Sequence, residues 1–191
     1  MGAYDSDIST SRYLKTLVSL RDRLELIPEE ISIAGTHRPP DTLSTLKRLL
    51  DRFHTVVSQL RHRFDKRSTL EVRDEHDVQD LLHALLRIHF DDVRPEEWTP
   101  SYAGGSSRMD FLLKREQVVV EAKMTRGGLG AKEVRDQLAT DILRYQAHPG
   151  CKSLVCFVYD PEQLVQNPKG VADDLSQLAG KIQVRIHIAQ T

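Results

Sequence analysis

Cysteine is almost missing from this chain: in 191 residues only Cys151 and Cys156 occur, in or beside an apolar run from Lys152 to Tyr159. Two thiols in a core-like strand exclude a disulfide-stapled fold and point to a reducing, cytoplasmic setting. No His or Cys set has zinc-finger spacing, and the eight His are scattered from His37 to His187, which argues against a zinc site. Long hydrophobic runs are lacking as well. Nowhere do the roughly 18 consecutive apolar residues of a membrane span occur, and Met1 to Asp7 shows no basic stretch leading into an apolar block. An exported or membrane-bound protein is not expected. Excess charge of either sign is also lacking. A formal net charge of -1 creates no global attraction for polyanions, so any nucleic-acid contact must use local clusters. No helix-turn-helix, zinc finger or RNA-binding signature appears, which leaves strand, sequence and DNA-versus-RNA preference open.

What is present suits one ordinary soluble domain with an appendage: 39% hydrophobic and 29% charged residues, ten Gly and eight Pro, without repetitive tracts. Tyr13, Leu14, Leu17, Leu20, Leu24 and Ile27 recur at helical spacing, with Ser9, Thr10 or Ser11 available as a cap and Pro28 ending the run. After a Gly- and Pro-containing connection at 32–40, Leu43, Leu46, Leu50, Phe53, Val57, Leu60 and Phe64 mark a second, longer helix from Asp41 onward. This helical hairpin, residues 1–67, cannot bury its apolar stripe alone. It must dock on the following domain or on a second subunit, in a docking, dimerisation or regulatory role. Its end carries Arg61, Arg63, Lys66 and Arg67, cations that complement a helix dipole or touch phosphates. The second domain, residues 68–191, begins with a polar stretch.

Within that domain the pattern predicts a helix from Asp74 to His89 with Val78, Leu81, Leu82, Leu85 and Ile88 on one side. A loop rich in Pro, Trp and Gly follows, then two strands. A helix from Ala131 to Tyr145, a strand from Ser153 to Tyr159, a helix near Val171 to Ala179 and an alternating strand from Ile182 to Ile188 complete the chain. Strands alternating with helices imply an α/β fold with a mixed central sheet covered on both faces.

The two central strands carry the chemistry. Residues 108–123 form apolar runs, Phe111 to Leu113 and Val118 to Val120, interrupted by Asp110, Glu121 and Lys123. If Lys114 to Gln117 connect the strands, Leu113 pairs with Val118, and counting back sets Asp110 opposite Glu121 on one face. Opposed side chains of that kind stand about 5 Å apart. Two carboxylates so close raise one another's proton affinity and call for a cation or a shared proton. Lys123 points to the same face. Runs this apolar read as strands buried on both faces, where unpaired charge is costly.

An acidic residue on one strand and Glu121-Ala122-Lys123 on the next, in this order of elements, resembles the PD-(D/E)XK nuclease superfamily, the restriction-endonuclease-like fold. The stretch Asp77-Val78-Gln79-Asp80-Leu81-Leu82 and the stretch Gly104-Gly105-Ser106-Ser107-Arg108-Met109-Asp110 look more specifically like the restriction enzymes that cut GATC sites. The resemblance covers roughly residues 74 to 188, and Met109 stands where the superfamily's name has Pro. The resemblance implies an αβββαβ-type core and Mg²⁺-dependent hydrolysis of DNA, with Mn²⁺ as the alternative ion. It also implies catalytic roles for Asp110, Glu121 and Lys123, and metal binding by Asp110, Glu121, the Ala122 carbonyl and a carboxylate of the preceding helix. On that helix Glu75 lies at an edge of the apolar face shared with Gln79, so Glu75 is preferred to Asp77 and Asp80. Lys123 is assigned to orientation and charge stabilisation, because neighbouring carboxylates oppose the lowered pKa that a base needs. Cutting both strands implies a homodimer, through the N-terminal helices or the nuclease domain, and restriction or phage defence follows by analogy. The competing reading is a catalytically inactive binding or assembly module on the same fold.

Further polar residues are supporting or DNA-contacting candidates. Gln137, Asp141 and Tyr145 recur at i, i+4 and i+8 on the stripe of Val134 and Leu138, where burial is expected. Arg108 and Arg126 belong to Gly-rich stretches, Tyr102 to Arg108 and Thr125 to Lys132, that suit either plain flexible loops or a close approach to phosphate. Neither stretch has the Gly-Lys-Ser/Thr ending of a nucleotide-binding loop.

Overall fold

In the computed structural model, residues 41–98, 108–128 and 130–191 are described. The first expected helix, around residues 13–27, and most of the Gly-rich stretch before Arg108 lie outside them. Residues 41–191 form one compact unit, so the helices after residue 41 belong to the folded domain rather than to an appendage ending at residue 67.

The long helix expected after Asp41 is two helices, α1 (Thr42–Asp51) and α2 (Phe53–Arg61). They are separated at Arg52, whose N–H bonds back to the Leu49 carbonyl at 3.2 Å in a tightened turn. The apolar phase survives the break. Leu46, Leu50, Phe53 and Val57 are all buried, each such side chain contributing about 1.5–3 kcal/mol by removal from water. Phe64 does not continue the stripe: it begins a short 3-10 turn, Phe64–Lys66, and is 82% exposed.

Helix α3 (Glu75–His89) starts at a capping box, with Asp77 N–H donating to Asp74 Oδ1 at 3.1 Å and Asp74 N–H to Asp77 Oδ2 at 3.3 Å. Its buried face is Val78, Leu81, Leu82 and Leu86. Leu85 is only partly buried and Ile88 is exposed, so the face is rotated from the one the spacing suggested.

Five strands follow: β1 (Val93–Trp98), β2 (Arg108–Leu113), β3 (Val118–Met124), β4 (Ser153–Asp160) and β5 (Gln183–Gln190). Helix α4 (Ala131–Tyr145) lies between β3 and β4 in the chain, and α5 (Pro168–Ser176) between β4 and β5. The sheet order is β1-β2-β3-β4-β5, antiparallel for the first two pairings and parallel for the last two. It is the mixed sheet of a restriction-endonuclease-like α/β fold. The expected loop of residues 93–98 is in fact an edge strand, and Pro95 is tolerated there because an edge needs fewer ladder donors. Aromatic and aliphatic side chains on one face, including Val120, Phe157 and Tyr159, pack with α1, α2 and α3. The other face, including Val119, Cys156 and Val158, packs with α4 and α5. Cys151 and Cys156 are free thiols, both buried, and burial raises the Cys151 thiol to about 11.

Candidate active site

Strands β2 and β3 pair in the register expected, Leu113↔Val118, Leu112↔Val119 and Phe111↔Val120. One step beyond, the ladder stops. The Ala122 N–H donates to Asp110 Oδ2 at 2.7 Å, so a carboxylate takes the place of a backbone partner. On the other side Pro95 pairs with Phe111 and Glu97 with Met109. Glu96, between them and facing Asp110 along the strand, is left-handed at φ 51°. The backbone is thus irregular on both flanks of Asp110, and the opening lets side chains from both covering layers reach one place.

From the α3 layer, Gln79 Nε2 donates to Asp110 Oδ1 at 2.9 Å and Glu75 Oε1 accepts from Lys123 Nζ at 3.2 Å. From the α4 layer, the Tyr145 hydroxyl donates to Glu121 Oε2 at 2.7 Å. Glu121 Oε1 accepts from Lys123 Nζ at 2.8 Å. Glu121 and Lys123 are 3% and 8% exposed, so this is a charge cluster within the fold. Asp141, also buried, has Arg144 at 3.7 Å.

Electrostatics follow from that burial. Burial first and the Glu121 charge second push the Asp110 carboxyl up to about 7, against the opposing pull of Lys123 and the Ala122 N–H. Asp141 is raised to about 7 by burial and then by Glu121. For Lys123 burial acts to lower the pKa, but Glu121, Asp110 and Glu75 together outweigh it and hold the ammonium well above its ordinary range. Burial and Glu121 keep Tyr145 protonated, hence a donor. The site is therefore short of positive charge.

Asp110, Glu121, Lys123, Glu75, Gln79, Ala122 and Tyr145 come together in this cluster, with Asp141 close enough to feel Glu121. Gln137 does not join them: it is exposed, because the buried face of α4 runs through Val134, Leu138, Asp141, Ile142 and Tyr145. Arg108 points outward, 4.5 Å from the Trp98 ring and bonded to Glu96 Oε2 at 2.6 Å. Arg126 is exposed. One supporting group was not anticipated. Asp160, fully buried at the end of β4, accepts from Thr125 Oγ1 at 2.5 Å, the Leu164 and Val165 N–H groups, and Gln190 Nε2. It fixes the chain two residues beyond Lys123. A lone Asp closing the apolar run Leu154 to Tyr159 was the available signal.

A divalent ion is the natural complement of this cluster. Among the described residues no three His, Cys, Asp or Glu side chains converge as a ready-made metal cage. Mg²⁺ does not need one, since it is commonly held by one or two carboxylates with water and substrate phosphate completing the shell. Asp110 and Glu121 supply hard oxygen donors. Ala122 adds its carbonyl, which leaves an extended strand on the same edge as its N–H and so on the Asp110 side. The donor set fits.

The family model REase_DpnII-MboI matches residues 44–191. Neither a curated protein nor a solved structure matches the chain.

Proposed function

The chain belongs to the DpnII-MboI restriction endonuclease family, and from that premise we propose that it is a Mg²⁺-dependent enzyme that hydrolyses phosphodiester bonds in DNA. The observation that carries the proposal is the cluster itself: a buried Glu121 and a half-buried Asp110, under-neutralised, with one charged Lys bridging Glu121 and Glu75.

Asp110, Glu121 and the Ala122 carbonyl would hold the ion, Mn²⁺ being the alternative, with Glu75 at the edge of the shell. When bound, the ion supplies positive charge that makes water a better nucleophile and steadies the leaving oxygen. Asp110 is held for this by the Ala122 N–H on one oxygen and Gln79 on the other, so its carboxylate need not reorganise. Tyr145 fixes the far oxygen of Glu121. Lys123, kept protonated by three carboxylates, is a donor rather than a base; it orients water and offsets charge on the phosphate as that charge grows. Proton removal then falls to water or to a substrate oxygen.

A homodimer would place two such clusters on the two strands of a duplex. The buried stripe of α1 and α2 is spent on their own sheet, so a dimer through the N-terminal helices or the nuclease domain would use surfaces other than that stripe. Restriction or phage defence in the cytoplasm is the biological setting we assign. GATC-containing DNA is the substrate to try first, from the likeness to that group of enzymes.

Incubation of supercoiled GATC-containing plasmid with the protein and Mg²⁺, beside EDTA and Asp110→Ala controls, tests the proposal. Linear or nicked product in the first arm alone is expected. Intact plasmid in all three arms, with a stable DNA or protein complex, would instead favour an inactive binding module.

A further inference from the structure

The catalytic cluster leaves the strongest concentration of positive charge in the domain unexplained. Residues 61–73 hold five Lys or Arg against two Asp or Glu, in a chain whose net charge is -1. The helix-dipole account covers only Arg61, the last residue of α2. Arg63, Lys66, Arg67 and Arg73 all lie beyond the helix end. They line, with Arg61 and His62, a cradle of about 640 Å³.

The cradle is anchored rather than loose. Val72 is 4% exposed and Leu70 packs on the core beside α3, while Arg63 Nη1 holds the Ser68 carbonyl. Arg73 is paired with Glu71. Among the described residues no carboxylate pairs with Arg61, Lys66 or Arg67. Asp65 and Lys66 are both left-handed, at φ 55° and 48°, a conformation costing on the order of 1–2 kcal/mol per residue. Their turn presents Phe64, an 82% exposed ring with the Arg67 guanidinium over its face at 5.6 Å. Exposed aromatics interleaved with unpaired cations are the chemistry that grips nucleic acid, phosphates by charge and bases or sugars by the ring.

Position completes the argument. Arg73 is two residues from Glu75, hence at most about 7.6 Å away along the Cα trace, and Glu75 bonds Lys123 in the catalytic cluster. A duplex whose reacting phosphate lies at that cluster runs past the segment that enters α3. We infer that residues 61–73 form a DNA-backbone clamp beside the catalytic site: Arg61, Lys66 and Arg67 take phosphates and Phe64 packs on a base or sugar. This rests on the reading that DNA is the substrate.

The test uses the full chain with Asp110→Asn in every arm, to prevent cutting, and a fluorescent GATC-containing duplex titrated across a KCl series. Each phosphate contact contributes about 0.9 to the slope of log K against log salt. Lys66→Gln with Arg67→Gln should therefore flatten the slope by about 1.8, Arg61→Gln by about 0.9, and Arg67→Lys by nothing. Phe64→Ala should weaken binding at least about fivefold with an unchanged slope. Lys169→Gln with Lys181→Gln, exposed cations far along the chain, should match the parent. Thermal melting checks each variant, and Arg61→Gln carries the test alone should the double variant unfold. A parent that binds while the cradle variants keep its slope and affinity overturns the clamp and leaves the proposed activity standing. A parent that binds no duplex, with plasmid uncut by the wild type, overturns both.

Discussion

Replacing Asp110 by Asn should stabilise the metal-free protein while removing its response to Mg²⁺. The Asp110 carboxyl is raised from 3.8 to about 7 by burial and by Glu121. An acid that titrates higher in the fold than in the unfolded chain stabilises fully below pH 3.8, and that advantage is lost as pH climbs to about 7. At 1.36 kcal/mol per unit the shift corresponds to about 4 kcal/mol as an upper bound. Coupling to Glu121 and partial hydration reduce the expected gain to about 2 kcal/mol. In a domain of this size that is roughly 4–8 °C in Tm. Asn keeps the size of Asp110 and an acceptor for the Ala122 N–H, so the ladder end survives. Melting curves at pH 5 and pH 8 in EDTA, then in excess Mg²⁺, are the assay. At pH 8 in EDTA the variant should melt higher than wild type. At pH 5 the gap should narrow, because wild-type Asp110 is then largely protonated. Mg²⁺ should raise the wild-type Tm at pH 8 and leave the variant unmoved. A variant less stable than wild type at both pH values, with both proteins responding equally to Mg²⁺, would refute the electrostatic reasoning.

Two other perturbations separate positioning from packing. Tyr145→Phe removes the donor to Glu121 Oε2; Mg²⁺ affinity in titration calorimetry should fall about 10–100-fold, with duplex affinity unchanged. Asp160→Asn should cost roughly 3 kcal/mol at pH 7 in denaturant unfolding, since a carboxylate holding four donors becomes an amide that cannot. For wild-type Asp160 burial opposes ionisation, but Thr125, Gln190, Val165 and Leu164 outweigh it and hold the pKa below 3.8. Its contribution is therefore present above pH 3.8 and lost as pH falls through the lower folded value, so the difference between the two proteins should shrink in acid.

The hairpin of β2 and β3 was legible because its period is 2 and its apolar runs are strong: a one-residue slip would turn Asp110 and Glu121 to opposite faces, and the pairing Leu113↔Val118 is the one observed. Helices α3 and α4 were legible for the matching reason, an apolar period near 3.6. Other features were hidden where local pattern and tertiary context diverge. Strand β1 is polar, holds Pro95 and pairs with β2 as an edge strand, so nothing within residues 93–98 announces a strand. The register placed Asp110 against Glu121, yet the ladder ends at Phe111↔Val120 because the Asp110 side chain captures the next N–H. That exchange is a side-chain event which periodicity cannot express. Gln137 fell on the expected stripe of α4, but the buried face is narrower there and excludes it. The Asp160 network joins Thr125, the 164–165 turn and Gln190 across β3, β4 and β5, a link that exists only once the parallel strands are side by side.

The central claim is that Asp110 and Glu121 share a divalent ion, and anomalous diffraction from crystals soaked in Mn²⁺ tests it most directly. The account predicts one strong peak between the two carboxylates, within about 2.0–2.3 Å of an oxygen of each and near the Ala122 carbonyl, with Lys123 displaced from Glu121 toward Glu75. Mn²⁺ bound elsewhere, or no peak at saturating Mn²⁺ with Lys123 still 2.8 Å from Glu121, would contradict it.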